Sequence, residues 1–166
     1  MGGLNNAGLE TANVSSGAKL LKVDFSNNAN LPEADSDSIA FGANNALLEE
    51  INISKTLAKS VDLTALTNLK TFNAEDTSIT TIEFANGGLI QEAKLGASLN
   101  TLICMNNSNL ELLTIQKNSD EKYNLEIVTI DSPSTLINWI DVLDIDNCPK
   151  IKEITILNAD YNENSC

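Results

Sequence analysis

The side chains that could do chemistry in this chain are almost all carboxylates. The sequence holds no histidine and no arginine, and its ten basic residues are all lysines. Without imidazole there is no Ser-His or Cys-His nucleophile pair, and without guanidinium there is no bidentate clamp for carboxylate or phosphate. The main enzyme class that remains is a hydrolase with two carboxyl groups roughly 5 to 9.5 Å apart.

Three glutamates are the candidates for such a pair. Glu75 could approach Glu50 or Glu92 if these residues lie on neighbouring strands, which are about 4.8 Å apart. One carboxyl of a pair must hold its proton near neutral pH, and that requires a dry pocket or a cleft. The sequence shows no insertion that would build one here. We therefore expect no enzyme activity, no catalytic residues and no cofactor.

A second group of oxygen ligands lies near the end of the chain, at Asp141, Asp144, Asp146 and Asn147. Carboxylate and amide oxygens are calcium ligands, but the spacing is not that of an EF-hand. It lacks the glycine turn and the bidentate glutamate at the required offset. We predict no metal site, and leave calcium near Asp144 and Asp146 as the open alternative.

Composition excludes several partners. A formal net charge of −13 disfavours nucleic acid, because phosphate neutralisation needs lysine and arginine. No stretch approaches the roughly 18 apolar residues of a membrane span, and the N-terminus lacks the features of a signal peptide.

The three cysteines, Cys104, Cys148 and Cys166, are odd in number and irregular in spacing, which predicts no disulfide framework.

The chain is predicted to be one domain over residues 1–166. It is 42% apolar but only 4% aromatic, so its core must be aliphatic. The polar ending at 161–166 has no capping element. For that reason we expect a fragment of a longer chain.

One phrase recurs from end to end: two apolar residues three apart, with a third two positions later. It is clearest at Leu110, Leu113 and Ile115, with Asn118 three positions beyond. Between Ile51 and Leu113 the central residues are spaced 10, 11, 10, 11, 9 and 11 apart. Alternation of apolar and polar residues over three to five positions, broken by turn residues, predicts short strands. A regular spacing of such strands predicts a stack of coils. Insertions interrupt this spacing at 31–38, 116–124 and 131–139.

The residue three positions after the last apolar residue of each copy sorts the copies into two series. In alternate copies it can form hydrogen bonds and is small or an amide, as an inward turn position requires; these residues are Asn28, Thr56, Thr77, Ser98, Asn118 and Cys148. In the other copies it is mixed: Asn44, Leu66, Gly87, Asn107, Pro133 and Ala159.

This sorting predicts two kinds of strand. A concave parallel sheet is expected from strands centred on Val23, Ile51, Phe72, Ala93, Leu113 and Leu143. A return side is expected around Ile39, Val61, Ile82, Leu102, Val128 and Ile154. The repeat is then 20 or 21 residues, and the alternative is a symmetric parallel β-solenoid of two sheets.

The concave face is the predicted binding surface. Its candidate residues alternate with the buried ones: Lys22, Asp24, Glu50, Asn52, Thr71, Asn73, Glu75, Glu92, Lys94, Leu112, Thr114, Gln116, Asp144 and Asp146. This surface is polar, mildly acidic and lacks tryptophan, tyrosine and arginine, the usual anchors of tight interfaces. Carbohydrate binding would need aromatic platforms, and none is visible. An ordinary solvated sheet is the alternative.

The phrases at 20–28, 48–56, 69–77, 99–107, 110–118 and 140–148 resemble leucine-rich repeats, as does the run from Asn147 to Ile154. That resemblance implies a mainly β solenoid of about six to seven turns. It also implies short irregular or helical return segments.

The run from Thr67 to Ile90, continued at 94–102 and 107–110, is similar to irregular repeats in virion proteins of tailed bacteriophages, including crAss-like gut phages. The resemblance implies a non-catalytic structural or interaction module of a virion or tail appendage. Its partners would be other virion subunits or a host surface receptor. The run Leu99-x-x-Leu102-x-Cys104-Met-Asn106-Asn107 is instead similar to surface repeats of gut Bacteroidetes. It implies a secreted or cell-surface recognition or adhesion module.

Overall fold

The computed structural model describes residues 9–12, 14, 19–32, 38–131, 150 and 152–157. This part of the chain consists almost entirely of strands and turns, and its one helical element is a 3-10 turn at Ala43–Asn45. The strands are β1 (Lys22–Asp24), β2 (Ser38–Ile39), β3 (Glu50–Asn52), β4 (Ser60–Val61), β5 (Thr71–Ala74), β6 (Thr81–Glu83), β7 (Glu92–Leu95), β8 (Thr101–Met105), β9 (Leu112–Ile115), β10 (Ile127–Asp131) and β11 (Glu153–Leu157).

From β1 to β10 the strands alternate between two sides of the molecule. Strands β1, β3, β5, β7 and β9 form a five-stranded sheet in that order. On the other side lie a four-stranded sheet in the order β6-β8-β10-β11 and a two-stranded sheet of β2 and β4, next to the bridge between Leu63 and Phe84. Every described pair is parallel, as expected when each coil passes both sides in one direction.

The predicted alignment of strand centres is confirmed for the described residues. In the five-stranded sheet Val23 pairs with Ile51, and the row continues through Phe72 and Ala93 to Leu113. On the other side Ile39 pairs with Val61, and Ile82, Leu102, Val128 and Ile154 form one row. The sixth predicted centre, Leu143, lies outside the described residues.

The return segments differ from the expectation of irregular or helical chain. They are strands, because their sequences keep the same two-residue alternation as the first side, with β-branched residues at Thr81, Ile82 and Ile127–Ile130. The described chain is therefore mainly parallel β-structure in two sheets. That arrangement is compatible with a β-solenoid.

The core lies between the two sides and is aliphatic except at its centre. Phe72 of the five-stranded sheet meets Phe84 of the opposite side edge to face, with ring centroids 6.0 Å apart and planes at 82°. Phe72 is fully buried and Phe84 is 3% exposed. The pair fills the space between sheets where most coils have only Leu, Ile or Ala.

Replacing Phe72 with alanine is expected to lower the free energy of unfolding by roughly 3–5 kcal/mol, because a cavity opens between the sheets. Equilibrium urea unfolding measures this. Phe41, which is only partly buried against the core, provides the control. If Phe41→Ala proves as destabilising as Phe72→Ala, the aromatic pair is not the centre of the core.

The same pair of backbone hydrogen bonds recurs where the chain enters the strands. At the residue before a strand, one carbonyl oxygen accepts two hydrogen bonds of 2.7 to 3.1 Å from consecutive N–H groups of the next coil. A carbonyl has two lone pairs, so one oxygen satisfies both N–H groups at this corner. We call these oxygens the entry carbonyls; they belong to Leu21, Glu49, Lys70, Thr80, Gln91, Asn100 and Glu126.

Buried polar side chains close the turns at which the chain leaves the five-stranded sheet. The amide of Asn28 donates to the Phe25 carbonyl at 2.7 Å. The hydroxyls of Thr56 and Thr77 donate to carbonyls three residues earlier, at 2.7 and 2.8 Å. The prediction that this position turns inward and satisfies backbone groups is confirmed here, although each side chain serves its own turn.

Two other polar residues depart from the predicted pattern. Asn107 belongs to the second series, yet it is fully buried and its amide donates to the Met105 carbonyl at 2.8 Å. Inward polar residues are thus not confined to one series. Asn118 is half-buried, and its Oδ1 accepts from the backbone N–H groups of Asp120 and Lys122. It organises a surface loop instead of acting as an internal strut.

Thr77→Val keeps the shape of the side chain but removes the donor to the Ala74 carbonyl. We expect a loss of about 1 kcal/mol in the free energy of unfolding, measured by urea titration. Thr80→Val, at an exposed threonine close by, is the matched control and should change little. Equal effects of the two substitutions would contradict the role given to the buried hydroxyl.

Candidate functional site

The register of the five-stranded sheet brings most of the predicted site residues together. We call the outward surface of this sheet the five-stranded face. It carries two rows that cross the strands: Lys22, Glu50, Thr71, Glu92 and Leu112 in the first, and Asp24, Asn52, Asn73, Lys94 and Thr114 in the second. Glu75 and Gln116 lie just beyond the second row. Asp144 and Asp146 lie outside the described residues, as do Asp141 and Asn147.

A shallow hollow of about 170 Å³ lies in this face and spans β1 to β7. Its lining includes Thr71 and Asn73 on β5, Glu50 and Asn52 on β3, and Glu92 and Lys94 on β7. Thr71 is shorter than Glu50 and Glu92, its two neighbours in the first row, so the face is lower at that point.

Each lysine in the hollow is paired with a glutamate. Lys22 donates to Glu50 across neighbouring strands, and Lys94 Nζ lies 2.9 Å from Glu92 Oε1 on the same strand. The hydrogen bond to Glu50 raises the pKa of the Lys22 ammonium above its usual value, and Glu92 raises the pKa of Lys94 in the same way. These groups are exposed, so the pairs contribute little to stability and mainly fix the charge pattern.

The second row is held by the turns that follow the strands. Asn52 Oδ1 accepts from the N–H and hydroxyl of Ser54 at 3.1 and 2.8 Å. Asn73 Oδ1 accepts from the N–H of Glu75 at 2.9 Å. Only an oxygen can accept from a backbone N–H, so both amide groups are oriented without ambiguity. Asp24 accepts from Ser26 in the same way.

Gln116 is engaged with a residue two coils away. Its Nε2 donates to Asp76 Oδ1 at 3.1 Å, and its Oε1 accepts from the Asp76 N–H at 2.9 Å. The coil between them has Gly96 at the matching position, where a Cβ would lie 3.1 Å from the carbonyl oxygens of Ala74 and Thr77. Gln116 thus joins coils across a glycine, an arrangement that sequence spacing did not reveal.

The glutamates of the face lie at an open surface. Side chains of Glu50 and Glu92 are 47% and 35% exposed, and both are in ion pairs with lysine. A general acid needs a buried setting that favours the protonated form, and the open hollow does not supply one. Its polar groups can instead exchange hydrogen bonds with a docked molecule.

Other kinds of site are absent from the described part of the chain. No group of three or more histidine, cysteine, aspartate or glutamate side chains there could hold a metal ion. No helix among those residues is long and apolar enough to cross a membrane. The possible calcium ligands near Asp144 lie outside that part, and so do Cys148 and Cys166.

The residues that sequence analysis missed are exposed leucines. Leu21, Leu47, Leu89 and Leu112 are 38% to 55% exposed, and all but Leu112 were absent from the predicted site. Each precedes a residue of the aliphatic core: Leu48, Ile90 and Leu113 are buried and Val23 follows Leu21 by two. The signal that could have found them is the apolar doublet at a corner, where only one of two neighbours can point inward.

The one described free thiol is unsuited to nucleophilic chemistry. Cys104 lies in the core, and burial raises the pKa of its thiol to about 12. The thiolate is the reactive species. A residue in this setting acts as a small apolar side chain.

In a variant with Cys148→Ser and Cys166→Ser, Cys104 is expected to react with a disulfide reagent at pH 8 roughly a thousandfold more slowly than an ordinary thiol, because its pKa is raised by about three units. Unfolding returns the thiol to its ordinary pKa of 9.0, so folded-state stability should fall as pH rises above that value. Absorbance of the released reagent measures the rate. Full-speed reaction in the absence of denaturant would contradict this burial.

A scan against protein-family models, a search of curated proteins and a search of solved structures each find no match for this chain.

Proposed function

We propose that this chain is a non-catalytic interaction module that binds a protein or a host-cell surface through its five-stranded face. The observation that carries the proposal is the hollow in this face, whose lining includes Thr71, Asn73 and two Lys–Glu ion pairs. Oriented amides and exposed charges are suited to recognising a surface. The solvent-exposed position of Glu50 and Glu92 supports binding over acid catalysis.

The fold type we propose is an irregular leucine-rich-repeat solenoid of about six to seven turns. Support comes from the aligned residues Ile51, Phe72, Ala93 and Leu113, which give repeats of 21, 21 and 20 residues. The inward hydroxyls of Thr56 and Thr77, one repeat apart, add to it. A plain two-sheet β-solenoid is the competing type.

Within this class, the proposed setting is a bacteriophage virion, in a structural or tail-appendage protein. The support is the resemblance of residues 67–110 to virion repeats. Partners would then be neighbouring virion subunits or a receptor on the host surface. An acidic stack of coils, in which each coil contacts only its neighbours, is suited to a spacer or docking element.

A second candidate is a bacterial cell-surface recognition or adhesion module. Leu99, Leu102, Cys104 and Asn107 are all buried, and these are the apolar, cysteine and asparagine positions of the Bacteroidetes-like phrase. The open reading frames around the gene separate the two settings. Portal and tail genes are expected for a virion protein, whereas a secretion signal upstream of this segment would favour the bacterial module.

The binding role of the face is tested by filling the hollow. Thr71→Arg places a long, charged side chain in the hollow. Thr81→Arg makes the same change at the first position of β6 on the opposite side, and both variants should fold. With the labelled chain and purified virions or host cells, we expect binding to fall at least tenfold for Thr71→Arg alone. Equal binding by both variants would contradict the proposal.

A further inference from the structure

Exposed leucines border the five-stranded face. Among the described residues, five large apolar side chains are more than a third exposed. Leu21 directly precedes β1, Leu47 and Leu89 lie shortly before β3 and β7, and Leu112 begins β9. The fifth, Leu57, follows β3 on the way to β4. Apolar surface is thus concentrated where the chain enters the sheet that carries the hollow, as in protein interfaces that combine apolar and polar contacts.

The hollow offers donors and acceptors in separate rows. With their oxygens engaged by Ser54 and Glu75, Asn52 and Asn73 turn their Nδ2 groups outward, and no described residue accepts from either group. The first row offers the carboxylates of Glu50 and Glu92 on either side of Thr71. A ligand that fits must therefore present both acceptors and donors.

Charge in the hollow favours a cation. Its lining includes three acids, Asp24, Glu50 and Glu92, against the two lysines 22 and 94, so the local balance is 2 − 3 = −1. The whole chain carries −13. Both lysines are exposed, flexible and paired only in solvent-facing contacts, so an incoming cation can displace them at small cost.

We propose that the five-stranded face docks a protein segment that places an arginine side chain in the hollow. The proposal rests on the proposed binding function and names its partner chemistry. The guanidinium donates to Glu50 and Glu92 from both edges of its plane, which a lysine ammonium cannot do. Backbone carbonyls of the segment accept from Asn52 and Asn73, and apolar residues beside the arginine contact the leucine border.

A sugar is the rival occupant, because hydroxyl groups also exchange hydrogen bonds with amides and carboxylates. It would leave the leucine border unused, and it would find no exposed aromatic ring: Phe72, which lies beneath the hollow, is fully buried with its ring packed against Phe84. A protein segment uses both features. For that reason the experiment includes a neutral oligosaccharide as a separate arm.

The test is a titration of the full ¹⁵N-labelled chain with a five-residue peptide that has a central arginine between glycines and a leucine at each end. We expect chemical-shift changes at the backbone amides of Thr71, Asn73 and Glu92, and these changes should become smaller as the salt concentration rises. A peptide with glutamine in place of arginine should bind at least tenfold more weakly. Maltohexaose is the sugar probe. Shifts at the same residues with maltohexaose and none with the arginine peptide would overturn the proposal.

Variants locate the contacts. Glu50→Gln and Glu92→Gln preserve the shape of the side chain, and each should lower the affinity for the arginine peptide at least fivefold. The double variant Leu21→Ser, Leu112→Ser should also lower this affinity, whereas Leu57→Ser, at the other corner, should not. Unchanged spectra elsewhere show that each variant folds. Equal affinity in all variants would overturn the proposal.

Failure of this inference is distinguishable from failure of the proposed function. If Thr71→Arg abolishes attachment to virions or cells but the arginine peptide does not bind, the face is a binding surface for another chemistry. If Thr71→Arg has no effect on attachment, the binding face itself is wrong.

Discussion

Every coil of this molecule must bring its apolar residues into line with those of the coil before it. The pairing of Val23, Ile51, Phe72, Ala93 and Leu113 is the visible result. A slip by one residue would turn each of these side chains to solvent and its polar neighbours into the core. The entry carbonyls hold the alignment, since each fixes two consecutive N–H groups of the following coil. Packing between the sheets and hydrogen bonding along the stack thus enforce one another.

The five-stranded face, our proposed binding surface, is a by-product of that alignment. Once the inward row is fixed, the outward residues form rows as well, so Glu50, Thr71 and Glu92 stand side by side although 21 residues separate each from the next. A depression arises where a short residue has longer neighbours on both sides. The core is undisturbed, because Val23, Ile51 and Phe72 keep their side chains buried beneath the hollow. Such a face can change its side chains coil by coil while the fold stays the same.

Sequence alone identified the strand centres because their signal is local: alternating apolar residues and a polar turn, repeated at a nearly constant interval. It placed Lys22, Asn52, Thr71 and Lys94 on one face for the same reason. Long-range features were not accessible to it. The bond from Gln116 to Asp76 skips a coil, and the inward position of Asn107 depends on how its turn closes. Return strands were expected to be irregular since the family resemblance outweighed the plain alternation in Thr81–Glu83.

The entry carbonyls have a further consequence for how the chain can vary in length. Two N–H groups fixed at each entrance leave no room for an added residue there. At the exits a side chain such as that of Thr56 or Asn28 closes the turn, and the chain beyond the turn can lengthen. The coil from Val23 to Ile51 takes 28 residues where its successors take 20 or 21, and the extra residues follow an exit. Growth of the molecule is therefore one-sided: loops can diversify along one edge while the spacing between neighbouring strands is preserved.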